Sequence, residues 1–339
     1  MSEISLRINK VILHILDKDA QMPILSEKEH PLDKSEIIEF LQKHISKALE
    51  DSSLKKACFN EEGSALKQLC EKINATDTEF VNVSNEVANR LYDIVLSNPE
   101  VSSADLICVL FELNEAPYLG ILKFNYRTSF IHYVEYDDST RVNTILKQRT
   151  ALPNDSSRLD ECAFINLDDF SMIVVEKKVE INGEKQYYFS NMFLECRCKI
   201  SDKEKVRAFN KANQKFNKEY FDSDVAKLGD IKKAVKDSIE ESGVIDVEQV
   251  AQDVFKGNPE MKNTYVQHIQ KAGFDDKKIE LKKELGEKAF TKQRIKTDTG
   301  IEIKLPIDYC NNKDVLEFIN NPDGTISILI KNINKIVDR

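Results

Sequence analysis

The chain has no tryptophan and only ten glycines in 339 residues. The missing tryptophan carries no functional information, but the shortage of glycine does. Loops that cradle phosphates bring backbone N–H groups against the ligand and need glycine at fixed spacings. No Gly-x-Gly-x-x-Gly, Walker A or Gly-x-Ser-x-Gly string occurs. The five histidines, His14, His30, His44, His132 and His268, are scattered without a His-x-x-x-His pair. A small-molecule enzyme is therefore disfavoured, and no cofactor or metal is expected. No apolar run reaches the roughly 18 residues of a membrane helix. The opening MSEISLRINKVILHIL alternates like a strand and has no cleavage site, so a soluble cytosolic protein is expected. An excess of basic residues is also missing: 49 Lys and Arg stand against 58 Asp and Glu, for a net charge of −9. Proteins that coat DNA by bulk electrostatics are usually basic. Any contact with nucleic acid must then run through a local patch or a partner. Seven cysteines, an odd and dispersed set, fit a reducing compartment better than a disulfide framework.

The most strongly patterned stretch is Ala104 to Tyr136. Leu106–Leu113 is apolar on both parities, as in a strand covered on both faces. Asn114-Glu115-Ala116-Pro117 interrupts it, which places the turn of a β-hairpin there, because proline cannot donate to a ladder. In the second run and its continuation, Leu122, Phe124, Tyr126, Phe130, Val134 and Tyr136 share one parity, and Lys123, Asn125, Arg127 and Ser129 the other. That pattern predicts a sheet core with one wetter side.

Around this hairpin the spacing predicts a strand over Leu6–Leu16 and three amphipathic helices. The first starts at Asp33-Lys34-Ser35-Glu36, read as a capping box. The second covers about Glu62–Lys72, and the third about Asn82–Ser97, closed by Pro99. Residues 137–161 read as a polar loop with a short helix. Strand patterns return over Ala163–Leu167, Met172–Ile181 and Lys185–Phe189, with Asn182-Gly183 as a type I′ turn. The fold class is α+β: a mainly antiparallel sheet with packed helices, then a charged helical segment and a small C-terminal β-containing part. Residues 1–200 are expected to form the core domain, 201–290 a charged helical region, and 291–339 a small β segment. Within the helical region Gly257-Asn258-Pro259 separates two short helices. In the last segment Asn320-Asn321-Pro322-Asp323-Gly324 joins two strands.

Several of these pieces together resemble the bacterial nucleoid-associated protein family, NdpA-like. They are VILHILDK, ADLICVLFEL with YLGILKFNY, AFINL, and YFSNMFLECRCKISDKEKVRAFNKANQKF; GIEIKLPIDYC and NPDGTISILIK follow. The resemblance spans most of the chain. It implies association with the nucleoid, DNA binding and no known enzymatic activity, and it carries no defined set of DNA-contacting residues.

The strongest local basic feature runs from Arg197 to Lys236. Its candidate DNA contacts are Arg197, Lys199, Lys203, Arg207, Lys211, Lys215 and Lys218. Cations matter here because each phosphate contact releases counterions and drives sequence-independent binding. Arg207, Lys211, Lys215 and Lys218 recur at helical spacing and share one face. The apolar stripe Val206, Phe209, Phe216 and Tyr220 lies beside them. The competing reading is a solvated amphipathic face. A second, sparser region combines Arg127, Arg141, Lys147 and Arg149 with His132, Tyr126, Tyr133 and Tyr136, where aromatics could stack on unpaired bases. Against that, the aromatics share the parity of core positions.

Two other patterns carry less. Cys196 and Cys198 point to one side of a strand, but zinc needs further ligands, and Cys162 alone does not complete a site. Asp168 and Asp169 before Glu176-Lys177-Lys178 match the D…ExK pattern of Mg-dependent nucleases. Asp298 before Glu302-Ile303-Lys304 matches it equally, as chance allows in so charged a chain. The leading expectation is a non-catalytic, nucleoid-associated DNA-binding protein, with a homodimer that would double the patch. The alternative is an adaptor reaching the nucleoid through a DNA-acting enzyme, and a nuclease is third.

Overall fold

The computed structural model describes residues 5–61, 63–75, 77–137, 140–310, 312–335 and 337. It divides into a unit of residues Met1–Ser201 and a unit of residues Asp202–Arg339. The first unit runs β1 (Leu6–Leu16), α1 (Ser35–Leu49), β2 (Lys55–Phe59), α2 (Ala65–Ala75), α3 (Phe80–Ser97), β3 (Ala104–Leu113) and β4 (Ala116–Asn125). It continues with β5 (Arg127–Asp137), β6 (Thr140–Ala151), β7 (Glu161–Asn166), β8 (Met172–Val175), β9 (Val179–Ile181), β10 (Glu184–Gln186) and β11 (Cys196–Cys198). Seven strands form one antiparallel sheet in the order β1-β3-β4-β7-β8-β2-β11. The class is α+β, as the patterning predicts.

The central strand β3 is buried along both faces because the sheet is covered on both. Leu106, Cys108 and Leu110 pack with Leu69, Val87 and Leu91 of α2 and α3. Ile107, Val109 and Phe111 pack with Leu41 and Ile45 of α1. The turn of the central hairpin is shorter than the sequence suggests. Asn114 and Glu115 take it alone, both at positive φ (49° and 70°), as a two-residue type I′ turn requires. Ala116 and Pro117 already belong to β4, where the Pro117 carbonyl accepts the Leu167 N–H at 2.9 Å. The Asn182-Gly183 turn between β9 and β10 is formed as expected. The expected capping box is not. Lys34 caps α1 without a side-chain hydrogen bond, so Asp33 lies one residue too early to serve as the cap.

Two further expectations are overturned. The "wetter side" of the core hairpin holds Lys123, which is only 1 % exposed and pairs with Glu161 at 3.3 Å. Residues 140–151, expected within a loop-and-helix segment, form β6, which pairs along its length with β5, while residues 152–160 are loop as the sequence suggests. These two strands leave the large sheet and form a sheet of their own, with Phe130, Val134 and Tyr136 exposed instead of in the core. Parity identified the strand correctly, but it cannot show whether anything lies over either face.

The Phe193-Leu194-Glu195-Cys196 segment has a structural task. A π-type turn over Phe189–Leu194 buries both aromatics, and Glu195 follows in the left-handed region at φ 54°. Its carboxylate accepts the first N–H of α2, from Ala65, at 3.0 Å and pairs with Arg90 of α3 at 3.2 Å. An acceptor at a helix N-terminus satisfies an otherwise orphaned donor. One side chain thereby fastens two helices to the end of the sheet.

The second unit comprises α4 (Asp202–Phe221), α5 (Val225–Ser242), β12 (Val244–Asp246), α6 (Val247–Val254), α7 (Pro259–Lys271), β13 (Lys278–Glu280) and α8 (Lys283–Phe290). Two hairpins follow, β14 (Lys292–Lys296) with β15 (Glu302–Pro306), and β16 (Leu316–Asn320) with β17 (Ile326–Ile330). The helices enclose one core, centred on Phe209, Phe216, Ile231, Val235, Tyr265, Ile269 and Phe290. Asn258 caps α7 by accepting the Met261 N–H, with Pro259 at its first position.

Candidate nucleic-acid interface

Helix α4 has two faces because its apolar and cationic residues follow the same period with an offset. Phe209, Ala212 and Phe216 are buried, while Arg207, Lys211, Lys215 and Lys218 are exposed. The apolar face packs on α7. Phe216 meets the Tyr265 ring edge-on at 5.0 Å, and the Tyr265 hydroxyl donates to Asn213 Oδ1 at 2.7 Å in a fully buried bond. Asn213 in turn donates to the Phe209 carbonyl at 3.0 Å. A Tyr265→Phe substitution strands Asn213 Oδ1 in the core. It is expected to lower the stability of this unit by about 1–3 kcal/mol, read by chemical denaturation. A loss below about 0.5 kcal/mol (roughly half of a typical net hydrogen bond) would show the pair to be dispensable.

Where the two helices diverge they leave an open groove of about 450 Å³. Lys211, Lys215 and Tyr220 line it from α4; Thr264, Gln267, His268 and Lys271 line it from α7. Glu219 is the one carboxylate among its lining residues. Tyr220 was expected on the buried stripe, but it is exposed, with its ring 4.8 Å from that of Phe216. The His268 ring lies 5.3 Å from Phe216 on the other side.

The lysines of this groove differ from those nearby in having no counter-ion. Lys205, Lys227 and Lys236 are neutralised by Asp202, Asp230 and Asp308. Among the described residues none of Arg207, Lys211, Lys215, Lys218 or Lys271 has an ion-pair partner. Lys203 extends the exposed ridge toward the start of α4. Arg197 and Lys199 belong to the other unit, where Arg197 pairs with Glu61 at 2.9 Å and the Lys199 N–H donates to the Lys56 carbonyl. The structure therefore groups Lys211 and Lys215 with Lys271, which the sequence reading omitted. Thr264, Gln267, His268 and Lys271 do share one helical face of α7, so their alignment was legible. Their apposition to α4 was not.

The second basic region lies on the β5–β6 strand pair. Arg127 Nη1 donates to Ser157 Oγ at 3.3 Å, and the Arg141 guanidinium sits 5.7 Å from the Tyr136 ring. Lys147 and Arg149 lie on β6. Tyr133 and Tyr136 are exposed, which removes the reading of those two rings as core, whereas Tyr126 is half-buried and its hydroxyl donates to Asp105 Oδ1 at 3.4 Å.

The remaining patterns come apart on the structure. Asp168 and Asp169 lie in the turn before β8, and Glu176 follows its other end, so the D…ExK carboxylates are separated by the length of that strand. Glu176 instead pairs with Lys55 at 3.1 Å and accepts the Ser190 N–H at 3.0 Å, all buried. Cys196 and Cys198 have sulfurs 3.9 Å apart, and Cys196 and Cys162 lie in the cores on opposite faces of the sheet. Among the described residues no group of His, Cys, Asp and Glu could hold a metal ion.

What fold and site define is an α+β protein of two units whose helical unit carries an open groove of lysines without counter-ions. Residues 12–337 match the family described as nucleoid-associated protein YejK, and the chain belongs to that family. Nucleoid association is therefore its role at that level, in agreement with the resemblance carried by the core strands and the Phe-Leu-Glu-Cys segment. No curated protein matches the chain. Among the described residues no helix is long and apolar enough to cross a membrane.

Proposed function

We propose that the chain binds duplex DNA directly, without reading its sequence and without catalysing a reaction on it, through the groove between α4 and α7. The observation that supports this is the set of lysines without counter-ions, Lys211, Lys215 and Lys271, on one open surface of an acidic protein. A net charge of −9 repels DNA over most of the surface, so a binding site must concentrate cations locally. Lysines on rigid helices meet phosphates as point charges, and Arg207 and Lys218 lengthen the same ridge. In a homodimer two such grooves would engage one duplex, and the second contact would be favoured by effective concentration.

Fluorescence anisotropy with a plain duplex over a salt series tests the reading. The logarithm of the affinity should fall linearly with the logarithm of salt concentration. Lys211→Glu, Lys215→Glu and Lys271→Glu combined should weaken binding on the order of 100-fold at low salt and flatten the slope by roughly two to three. Absence of binding at low salt would overturn direct contact. The acidic total charge would then favour the second reading, an adaptor that reaches the nucleoid through a DNA-acting enzyme.

A further inference from the structure

Among the described residues, strands β5 and β6 pair only with each other. Cross-strand partners share a face. One face of this ribbon is made by the pairs Phe130/Lys147 and Tyr136/Arg141, with His132/Ile145 and Val134/Asn143 between them. Arg149, two residues beyond Lys147, continues the same face along β6. Every one of these side chains is exposed, with Phe130, Tyr136 and Ile145 at 70, 70 and 76 %. Exposed apolar surface of this extent marks an interaction site.

The charge on this face has one sign. It carries Arg141, Lys147 and Arg149 and no carboxylate, while Glu135 lies on the opposite face across from Val142. Among the described residues none of the three cations has an ion-pair partner. In a chain of net charge −9 such a concentration of cations selects an anionic occupant, and it repels the same face of a second copy. The rings narrow the choice of anion. Phe130 stands opposite Lys147, and Tyr136 opposite Arg141, whose guanidinium lies 5.7 Å from the ring centre. The two ring–cation pairs are six residues apart, about 20 Å along the strand. A single nucleic-acid strand alternates flat bases with phosphates and matches such a row, bases on rings and phosphates on cations. A duplex does not, because its bases are stacked on one another inside, and Phe130, Val134 and Ile145 would face phosphates.

We propose that the Phe130–Tyr136 face of the β5–β6 ribbon is a platform for single-stranded nucleic acid, on which Phe130 and Tyr136 stack with unpaired bases while Arg141, Lys147 and Arg149 hold the phosphates. The platform differs from the α4–α7 groove in its ligand and lies in the other unit, so it stands whether or not that groove binds duplex DNA.

The test is fluorescence anisotropy on the full chain carrying Lys211→Glu, Lys215→Glu and Lys271→Glu, which removes the cations of the groove and separates this result from that of the duplex test. Labelled oligothymidine and oligouridine are the probes, at low salt. At least one should bind, and the tighter of the two names the strand as DNA or RNA. An abasic oligomer of the same length keeps the phosphates but offers nothing to stack, and it should bind at least about tenfold more weakly. Phe130→Ala with Tyr136→Ala should weaken binding on the order of 100-fold and leave the far-ultraviolet dichroism unchanged, because both side chains face solvent. Arg141→Gln, Lys147→Gln and Arg149→Gln together should flatten the salt slope by about two, at roughly 0.7 per phosphate of a single strand. Absence of binding to both probes overturns the proposal. So does binding indifferent to Phe130→Ala with Tyr136→Ala, or equal affinity for the abasic oligomer. A chain that binds neither probe but sediments as a dimer, dissociated by those two substitutions, makes the face a contact between copies instead.

Discussion

Replacing Lys55 with methionine is expected to destabilise the first unit by about 3–5 kcal/mol, the largest single-residue effect foreseen for this protein. The Lys55 ammonium is buried 3.1 Å from Glu176 Oε1 and 3.3 Å from the centre of the Tyr187 ring. Its removal leaves a carboxylate in the core with the Ser190 N–H and the Cys198 thiol, at 4.0 Å, as its remaining hydrogen-bond partners among the described residues. An uncompensated buried charge costs far more than a lost ion pair at the surface. Adding Glu176→Gln should recover most of the loss. Glutamine keeps an acceptor for the Ser190 N–H but carries no charge, so the doubly substituted core is neutral and its backbone donor is satisfied. Thermal or denaturant unfolding of the native, single and double variants supplies the cycle. The single variant should lower the melting temperature of this unit by roughly 10 °C. A single-variant loss under 1 kcal/mol, or no recovery in the double, would show that Glu176 has another compensating partner.

The pair belongs to a row of charges across one end of the sheet. Lys123 of β4 sits in register with Glu161 of β7, and Cys162, next to Glu161, is in register with Val175, next to Glu176. Burial holds the Lys123 ammonium below the ordinary lysine range, while Glu161 pulls it the other way. A one-residue slip of any of these strands would carry a charge to the opposite, apolar face. The row therefore disfavours alternative registers as well as contributing stability.

This row also marks where reading the sequence stops. The strands around it were legible, because Val, Ile, Leu and Phe runs bounded by Asn-Gly or Asn-Glu turns have few other solutions. Lys123 and Lys55 were not legible as buried, because a lysine within an alternating strand is the usual sign of a solvent face. What buries them is a set of carboxylates distant in sequence and the helices covering both faces. The same limit applied in the opposite sense at Phe130 and Tyr136, where core-like parity continues into a ribbon whose side chains are exposed. At the DNA-binding candidate, the face of α4 could be derived from spacing. Lys271 could not be added to it without knowing that α7 lies alongside. The family resemblance was legible early because it rests on core strands, whose order survives without knowledge of what packs on them.

Acidification from pH 6.5 to pH 4 is expected to cost the first unit about 5 kcal/mol through two buried histidines. His14 and His44 are 0 and 1 % exposed, and burial pushes both down to about 4. Lys47 lowers His44 further, and Asp155 opposes it. His14 Nδ1 accepts the Ser26 N–H at 3.2 Å, which only the neutral ring can do. His44 is held edge-on between Phe40 and Phe124, with ring centres 4.5 and 5.1 Å away and, among the described residues, no hydrogen-bond partner for either nitrogen. In the unfolded chain each ring takes up a proton near pH 6.5. The unfolded state therefore binds more protons across this interval, and stability rises with pH. The contribution is complete above about 6.5 and is lost as the pH falls through about 4. Asp105 works in the other direction. Burial raises its carboxyl to about 6 with help from Asp17 and against the Tyr126 hydrogen bond. Its contribution is present below its unfolded value and is lost as the pH rises through 6, so it masks part of the histidine effect. His44→Leu should flatten the stability–pH profile, measured by denaturant unfolding at fixed pH steps, by about half. Asp105→Asn should steepen it. A native profile that is flat from pH 6.5 to 4.5, or a slope untouched by His44→Leu, would mean that the rings are already protonated in place, and that water or a carboxylate reaches them.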